Sequence, residues 1–371
     1  MSPTRLLAVA RKEFIQLRRD PRSLLLAFAL PVLLLVIFGY AISWDVRNIR
    51  MAILDHDRSA ASRELLQTLE ASGYFSLVGF LERDREIGAL LERSGAQIIL
   101  TIPPGFEADL EAGRSTPLQA IVDGSDANTA TIALGYTEAV VRSWSTRVQL
   151  QGRTLMPPVV AETRVWFNEE LESRNMIVPG LVAVIMMIIA AMLTSLTIAR
   201  EWERGTMEQL AATPVSRLEV VLGKLLPYLG IGMMDVVVSS VLGVLLFGVP
   251  FRGSAVLLMI LSFFFLTGAL GLGMFISAVA KSQVLATQVA MVATYLPTLL
   301  LSGFMFSTDS MPAVLRAISH LIPARYFLVV TRGIFLKGVG MDVLKTDALL
   351  MVAFAFAGLG LAVLKFRKEL E

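Results

Sequence analysis

The chain has 371 residues, of which 55% are hydrophobic and 17% are charged, and its mean hydropathy is +0.67. An ordinary soluble domain has about 25% charged residues, so this composition excludes a water-soluble fold and indicates a membrane protein. The formal net charge of only +2 gives no indication of a nucleic-acid partner. The absence of cysteine is compatible with an oxidising compartment but does not establish one.

Six apolar runs each approach the roughly 20 residues that a helix needs to cross a bilayer. They are Ser23–Ser43, Met176–Ala199, Leu225–Phe247, Ser254–Ala280, Val284–Phe306 and Ala348–Leu364. With their helical flanks they predict transmembrane segments at 23–43, 176–199, 221–247, 254–280, 284–306 and 346–364. The fold class we predict is an α-helical polytopic membrane protein with six transmembrane helices. A cleaved signal peptide stays open for the first run, although this run is longer than a typical signal core.

Positive charges beside the runs predict the orientation of the chain. The segments before the first run and after the second, fourth and sixth runs are basic, through Arg5, Arg11, Lys12, Arg18, Arg19, Arg22, Arg200, Arg204, Arg217, Lys281, Lys365, Arg367 and Lys368. By the positive-inside rule both termini, the loop 200–220 and the tail 365–371 are cytoplasmic. We therefore expect a multi-pass protein of the plasma (inner) membrane.

The outward segment 307–345 is an exception, because it is basic as well. Its cations are Arg316, Arg325, Arg332, Lys337 and Lys345. An odd number of spans stays open for this reason. Ser310 and Pro312 predict the start of one short helix and Pro323 the start of another. Two outward re-entrant helices would bring Arg316 and Arg325 close to the outer headgroups.

Residues 1–22 predict an amphipathic helix that lies along the cytoplasmic membrane surface. One face carries Leu6, Leu7, Ala10, Phe14 and Leu17, and the opposite face carries Arg5, Lys12, Gln16 and Arg19. Glu13 interrupts the apolar stripe, and Asp20-Pro21 ends the helix. A short packed helix in a soluble tail is the alternative.

The insert 44–175, between the first two spans, predicts an α/β extracytoplasmic domain. Strand-like stretches are Ile49–Leu54, Tyr74–Phe80, Gln97–Ile102 and Leu118–Val122. Helix-like stretches are Ser59–Ala71, with Ser59 as cap, Asp84–Glu92, Phe106–Ala112 and Asp126–Gln151. Asp55, His56 and Asp57 stand together, but neighbouring residues at a strand end point to different sides. We expect a loop of solvated charge there, and no metal site.

Sequence motifs for enzymatic chemistry are absent. The chain has two histidines, no G-x-S-x-G motif and no pair of acids within a span. The phosphate-binding loop G-x-x-x-x-G-K-[ST] is missing too, since Gly223-Lys224 is followed by Leu225 and lacks the upstream glycine. We therefore expect no cofactor in this chain. If ATP powers transport, a separate polypeptide binds it.

The cytoplasmic loop between the second and third runs is the strongest candidate site. Thr206 with Gln209, and Ser216 with Glu219, have capping-box spacing, and Pro214 predicts a stop after about two turns. Exposed apolar residues among these charges, namely Trp202, Met207 and Leu210, would suit docking into a soluble partner. An interfacial helix with its tryptophan at the headgroup level is the alternative, and the residues alone do not decide between the two.

A family resemblance favours docking. The stretches Glu203–Leu210, Thr213–Val215, Gly223–Pro227, Pro323–Phe327 and Arg332–Gly338 resemble the signature of ABC-2 type permeases, the membrane subunits of ATP-binding-cassette exporters. The stretches Ile53–Ser59, Ile102–Phe106 and Val122–Asn128 are similar to the large outer domain of the drug-exporter branch.

The resemblance implies a permease that pairs with a second permease, identical or related, and with two cytoplasmic ATPase subunits that bind ATP and magnesium. It also implies that the ATPase subunits grip the loop, for which the candidate residues are Arg200, Glu201, Trp202, Glu203, Arg204, Gly205, Thr206, Met207, Glu208, Leu210, Thr213 and Pro214. By analogy, the outer domain could meet an envelope adaptor protein.

Asp235 is the one acid in the middle of a span, where an ionised carboxylate costs about 2.5–3.5 kcal/mol. It is either a polar element of the translocation path or a structural group that bonds to a hydroxyl such as that of Thr267 or Thr294. The small pairs Gly273/Ser277 and Gly358/Ala362 predict close helix packing.

We therefore predict a permease for drug efflux that is not itself an enzyme. Two other classes stay open. A membrane sensor or receptor would need a cytoplasmic output domain, for which the tail 365–371 is too short. A gradient-driven carrier would need several ionisable groups within the membrane and internal repeats, whereas we find one acid and no repeat.

Overall fold

The computed structural model describes residues 2–42, 48–93, 95–125, 127–149, 167–168 and 172–366. Contacts divide the chain into two compact units, one formed by Met1–Ser43 with Val165–Glu371 and the other by Trp44–Arg164. The described part of the first unit is helical, and the second unit is mixed α/β. Most of the chain is therefore helix, as predicted.

The chain begins with helix α1 (Pro3–Arg18), which has proline in its first turn. Ala10, Glu13 and Leu17 are buried against the long helix that begins at Arg217, whereas Leu7 and Phe14 are exposed. The predicted apolar face is therefore divided into a protein-facing edge and an exposed edge. Glu13 does not interrupt a membrane-facing stripe; it lies on the edge that packs against protein.

The first predicted span is a continuous helical stretch. Helix α2 (Pro21–Leu24) leads through a π-helical turn (Leu25–Ala29) into α3 (Leu30–Ala41). Pro31 cannot donate a backbone hydrogen bond and its ring displaces the carbonyl of the preceding turn, which accounts for the widened turn just before it. The apolar part of this stretch, Ala27–Ala41, is shorter than the five long helices described below.

The α/β unit follows, and its elements are β1 (Ile49–Asp55), α4 (Ala60–Ala71), β2 (Phe75–Phe80), α5 (Arg85–Glu92), β3 (Ile98–Ile102), α6 (Phe106–Glu111), β4 (Gln119–Val122) and α7 (Ala127–Gln149). All the predicted strands and helices of the insert are confirmed to within a residue or two. Of the last predicted helix, Asp126 and residues 150–151 lie outside the described residues. The sheet order is β2-β1-β3-β4, with β1 parallel to both neighbours and β4 antiparallel to β3.

The core of this unit lies mainly on one face of the sheet. Alternate strand residues such as Met51 and Leu100 pack there with α4 and α7, and the ring of Trp144 stacks on that of Phe106 at 5.8 Å between centroids. A smaller cluster around Ile99 covers the other face beneath α5. The predicted cap is confirmed, because the Ser59 hydroxyl accepts a hydrogen bond from the Ser62 N–H at 3.1 Å.

The rest of the helical unit comprises α8 (Ser173–Glu203), α9 (Met207–Ala211), α10 (Arg217–Leu245), α11 (Ala255–Ala280), α12 (Gln283–Leu301), α13 (Ala313–Ser319), α14 (Pro323–Arg332) with a π-helical turn (Gly333–Lys337), and α15 (Met341–Lys365). Among the described residues, α8, α10, α11, α12 and α15 are long and apolar enough to cross a membrane. The pair Ala313–Ser319 and Pro323–Lys337, bent by 78°, would make a sixth if it counted as one span. The short helices expected after Pro312 and at Pro323 are thus confirmed.

Helix α8 is the centre of the helical unit. Its apolar part is almost wholly buried, and it contacts α3, α10, α11, α12 and α14. A Cβ placed on Gly273 of α11 would collide with the carbonyl oxygen of Ala191, and one on Gly358 of α15 would collide with the backbone of Gly268. The close packing predicted from the small pairs is therefore confirmed, and α11 lies tightly between α8 and α15.

Candidate functional site

Residues 200–214, which we call the corner segment, join α8 to α10 through the short helix α9. Helix α8 ends at Glu203, and the chain turns at Gly205, whose φ of +69° lies in the left-handed region that favours glycine. Pro214 then ends the segment. The second predicted capping box is present, because Ser216 and Glu219 bond reciprocally at the start of α10.

The first predicted capping box is wrong. Thr206 has helical backbone angles and does not cap α9, and its hydroxyl instead donates to the carboxylate of Glu201 on the preceding helix. Helix α9 has only 5 residues, fewer than the two turns predicted. The short helix therefore depends on a contact with α8 rather than on a cap of its own.

The candidate coupling residues do not all lie at the surface. Exposed side chains that another protein could reach are Glu203, Arg204, Glu208, Thr213 and Pro214. Trp202 and Leu210 are half-buried, and the ammonium of Lys281 lies 4.6 Å from the centroid of the Trp202 ring. Met207 is 2% exposed, so the prediction that it is an exposed apolar residue available for docking is wrong. Arg200 and Glu201 are buried as well.

Glu203 links the corner segment to α12, the third long helix after it. Its carboxylate accepts the backbone N–H of Gln283 at 2.7 Å and a second hydrogen bond from the Gln283 side-chain amide. Both bonds lie at the first turn of α12, where an acidic group is favoured by the free N–H groups of the helix. A displacement of the corner segment would therefore reach α12 as well as α8.

A buried ionic cluster lies behind the corner segment. Lys224 of α10 is 2% exposed, and its ammonium lies 2.8 Å from the Glu13 carboxylate and 3.0 Å from that of Glu201. The Tyr228 hydroxyl donates to Glu13 at 3.1 Å, and Lys12 donates to Glu201 at 2.7 Å. The cluster joins α1, α8 and α10 through charge-assisted hydrogen bonds.

Sequence reasoning missed this cluster. In the sequence alone, Lys224 stands out only as part of a motif, and Glu13 only as a break in an apolar stripe. A usable signal was present, because a lysine two turns inside a membrane helix and an acid on an apolar helix face each need a partner of opposite charge.

Residues of α1 and its flanks also bond to both ends of the corner segment. At one end, Arg200 lies 3.1 Å from the Asp20 carboxylate. At the other end, the Arg5 guanidinium donates to the Pro214 carbonyl at 2.6 Å, and the backbone N–H of Ser2 donates to Glu219 at 2.6 Å. The N-terminal segment therefore bonds to the chain at both ends of the corner segment and packs against α10, which the prediction of a membrane-surface helix did not anticipate.

Asp235 is distant from the corner segment, about 28 Å further along α10 at 1.5 Å per residue. It is 3% exposed, and among the described residues its carboxyl forms no hydrogen bond or ion pair. The two hydroxyls predicted as partners are engaged elsewhere, because Thr267 donates to the Phe263 carbonyl and Thr294 to the Ala290 carbonyl, each at 2.7 Å. The predicted interhelical hydrogen bond to either threonine is therefore wrong.

The acids at the end of β1 belong to a structured turn and are not simply solvated. The Asp55 carboxylate accepts the N–H groups of Asp57 and Arg58 at 2.9 Å each, and the Asp57 carboxylate accepts those of Gly105 at 2.7 Å and Glu107 at 3.0 Å. Hydrogen bonds from the Ser59 side chain and then the Glu107 N–H lower the pKa of Asp57. Within the described residues, no group of three or more acids and histidines could hold a metal ion.

The fold is that of a multi-pass membrane protein, in which apolar helices pack around the buried helix α8 and an α/β unit follows the first apolar helix. The family model described as ABC-2 family transporter protein matches residues 21–364, and the chain belongs to this family. Membership makes it the permease subunit of an ABC exporter, a transport subunit of the inner membrane. The sensor and the gradient-driven carrier are thereby excluded.

Three relatives from Escherichia coli K12 match most of the chain. The probable multidrug ABC transporter permease YbhS is 40% identical over 373 residues, which cover 100% of this chain and 99% of YbhS. The probable multidrug ABC transporter permease YbhR is 30% identical and covers 91% of this chain and 92% of its own length. The inner membrane transport permease YhhJ is 28% identical, with 86% and 85% covered.

Proposed function

We propose that this chain forms the translocation path of a multidrug exporter and is driven through its corner segment by a separate cytoplasmic ATPase, which binds ATP and magnesium. The missing phosphate-binding loop and the multidrug permease names of YbhS and YbhR support this assignment. A second permease, identical or related, completes the path. An envelope adaptor at the outer unit is part of the same proposal, by analogy alone.

The observation that carries the proposal is the position of the corner segment. It is the direct continuation of α8, the most buried of the long helices, and Glu201 at the end of α8 bonds to Lys12 of α1, to Lys224 of α10 and to Thr206, which directly precedes α9. Packed helices move as rigid bodies because protein interiors are close-packed. A partner that pulls on the exposed side chains of the segment therefore moves α8 and the helices around it.

Six spans with both termini in the cytoplasm form part of the proposal. At 1.5 Å per residue, the helical stretch from Pro21 to Ala41 is about 31 Å long, which matches a hydrocarbon layer of about 30 Å. With α8, α10, α11, α12 and α15 it makes six. The bent pair α13 and α14 is then a re-entrant element on the outer side, and the basic corner segment lies inside.

Asp235 belongs to the translocation path in this proposal. A buried carboxyl within a membrane helix is costly, and ionisable residues at such positions are found along substrate and ion paths. The support from the structure is that neither Thr267 nor Thr294 satisfies this group.

The test replaces exposed residues of the corner segment and measures ATP hydrolysis by the copurified ATPase subunit in lipid nanodiscs. Glu208 is exposed, and among the described residues its side chain has no partner. We expect Glu208→Lys to lower the permease-stimulated rate at least tenfold, as loss of a central interface contact does. Glu64→Lys, the same charge reversal at an exposed site of the α/β unit, is the matched control and should leave the rate unchanged.

Glu203→Gln and Gln283→Ala separate docking from internal structure. Both substitutions weaken the bond between Glu203 and Gln283, but only the first alters the group that faces a docking partner. We expect Glu203→Gln to lower stimulation more than Gln283→Ala does. Full stimulation in both Glu208→Lys and Glu203→Gln, with normal membrane insertion, would contradict coupling through this segment.

A further inference from the structure

A cavity of about 780 Å³ opens beside the corner segment, between α1, the end of α8 and the start of α12. Four cationic side chains line it, those of Lys12, Arg19, Arg200 and Arg204, against the single acid Asp20. The proposed ATPase contacts do not account for this pocket, since only Arg200 and Arg204 of its lining residues belong to the corner segment.

Two of the four cations are already neutralised inside the protein. Arg200 pairs with Asp20 at 3.1 Å, and Lys12 pairs with Glu201 at 2.7 Å. Arg19 and Arg204 are exposed, and within the part of the chain that the structure describes neither side chain forms an ion pair or hydrogen bond. The cavity therefore offers two guanidinium groups with unused donors, and the guanidinium geometry matches a phosphate group bidentately.

The same cavity has an apolar side. Ile15, Pro21 and Leu196 contribute to its lining. Leu25, one turn beyond Pro21, is 65% exposed, and Val284, next to the lining residue Gln283, is 68% exposed. Cationic groups therefore lie directly beside apolar surface that continues along two membrane helices.

The cavity lies at the level where α8 changes from apolar to charged residues. Leu196 belongs to the apolar part of α8, and Arg200 and Arg204 follow it at intervals of one turn. The boundary between apolar and charged surface thus passes through the cavity wall, which is the level at which lipid headgroups lie. A free phosphate compound would use the guanidinium groups but not the apolar lining.

We propose that this cavity binds an anionic phospholipid of the inner leaflet, with the phosphate between Arg19 and Arg204 and the acyl chains along Leu25 and Val284. Basic pockets between membrane helices on the cytoplasmic side are suited to anionic headgroups. This inference goes beyond transport and coupling, and it holds or fails independently of whether the ATPase grips the corner segment. The bound lipid would fill the gap between α1 and α12.

The test measures equilibrium binding of a fluorescent phosphatidylglycerol to the full chain in neutral detergent micelles. We expect about fivefold weaker binding for Arg19→Gln and about 25-fold weaker binding for Arg19→Gln with Arg204→Gln, from the usual contribution of each cation. Arg19→Lys, which keeps the charge but loses the bidentate guanidinium geometry, should weaken binding less than Arg19→Gln does. Arg11→Gln, an exposed site of α1 that does not line the cavity, is the matched control and should change binding less than twofold.

Competitors distinguish the possible sources of the phosphate. Unlabelled phosphatidylglycerol should displace the probe, whereas phosphatidylcholine and inorganic phosphate at the same concentration should not. Equal displacement by inorganic phosphate would overturn the lipid assignment, and equal displacement by phosphatidylcholine would reduce the site to an apolar contact. Unchanged binding by the doubly substituted chain, with normal gel filtration, would overturn the site itself.

Discussion

Lys224 illustrates how one buried charge can hold three helices together. Its ammonium lies between the carboxylates of Glu13 and Glu201, which belong to α1 and α8, while Lys224 itself belongs to α10. Removing three ionic groups from water is costly, and the mutual attraction offsets that cost only when every partner is present. The cluster therefore fixes how these helices fit together more than it adds to overall stability.

Removal of the central cation should be strongly destabilising. Lys224→Met leaves two buried carboxylates without their shared partner, so we expect a loss of about 3–5 kcal/mol in the free energy of unfolding, measured by denaturant titration in detergent. Lys12→Gln removes a cation from the same cluster whose side chain is 53% exposed, and we expect a loss below about 1 kcal/mol. Similar losses for both substitutions would show that burial does not determine how much each cation contributes to the free energy of unfolding.

At the scale of elements, the α/β unit was predicted well because its signals are local. The strands β1 and β3 are short apolar runs buried on both faces, β2 alternates buried and exposed residues, and α4 begins after a serine that caps its backbone. Each signal depends only on residues a few positions apart. Tertiary contacts did not alter them, so the predicted bounds agree with the structure.

The corner segment was predicted less well because its geometry depends on distant residues. Thr206 bonds to Glu201 in place of its own helix, and Met207 turns inward. The charged partners of Glu201 come from α1 and α10, and nothing near positions 200–214 identifies them. Likewise, which edge of α1 is buried depends on Lys224, more than 200 residues away.

At Gly273, where α11 approaches the backbone of α8, we expect that no side chain can be accommodated. Gly273→Val would push a branched side chain into the backbone of Ala191, which cannot move aside, so we expect a loss of about 1–3 kcal/mol or more. Gly230→Ala, in α10, meets nothing within 4 Å and should stabilise the helix by up to about 1 kcal/mol. The measurement is the thermal unfolding midpoint of each purified variant. Equal tolerance at both positions would contradict the close approach of the two helices.

At the scale of the whole molecule, the number of spans depends on whether the bent pair of α13 and α14 crosses the membrane. Sequence hydropathy predicts six spans, and the structure has five long apolar helices among its described residues, a shorter first helix and one bent pair. The bent pair either enters and leaves on the same side of the membrane or crosses it, and these two arrangements differ in the side on which the chain lies after the bent pair. If α13 and α14 are re-entrant, the residues before and after them lie on the same side; if they cross, these residues lie on opposite sides.

Single cysteines decide between these arrangements, and the chain is suited to the experiment because it contains none of its own. We expect Phe306→Cys and Met341→Cys, exposed residues on either side of the bent pair, both to react with an impermeant maleimide in intact cells. Glu64→Cys in the α/β unit should react as well, whereas Glu208→Cys should react only after permeabilisation. Labelling of Phe306→Cys without Met341→Cys would make the bent pair a true span. Labelling of Glu208→Cys from outside would put the corner segment beyond the reach of any cytoplasmic ATPase.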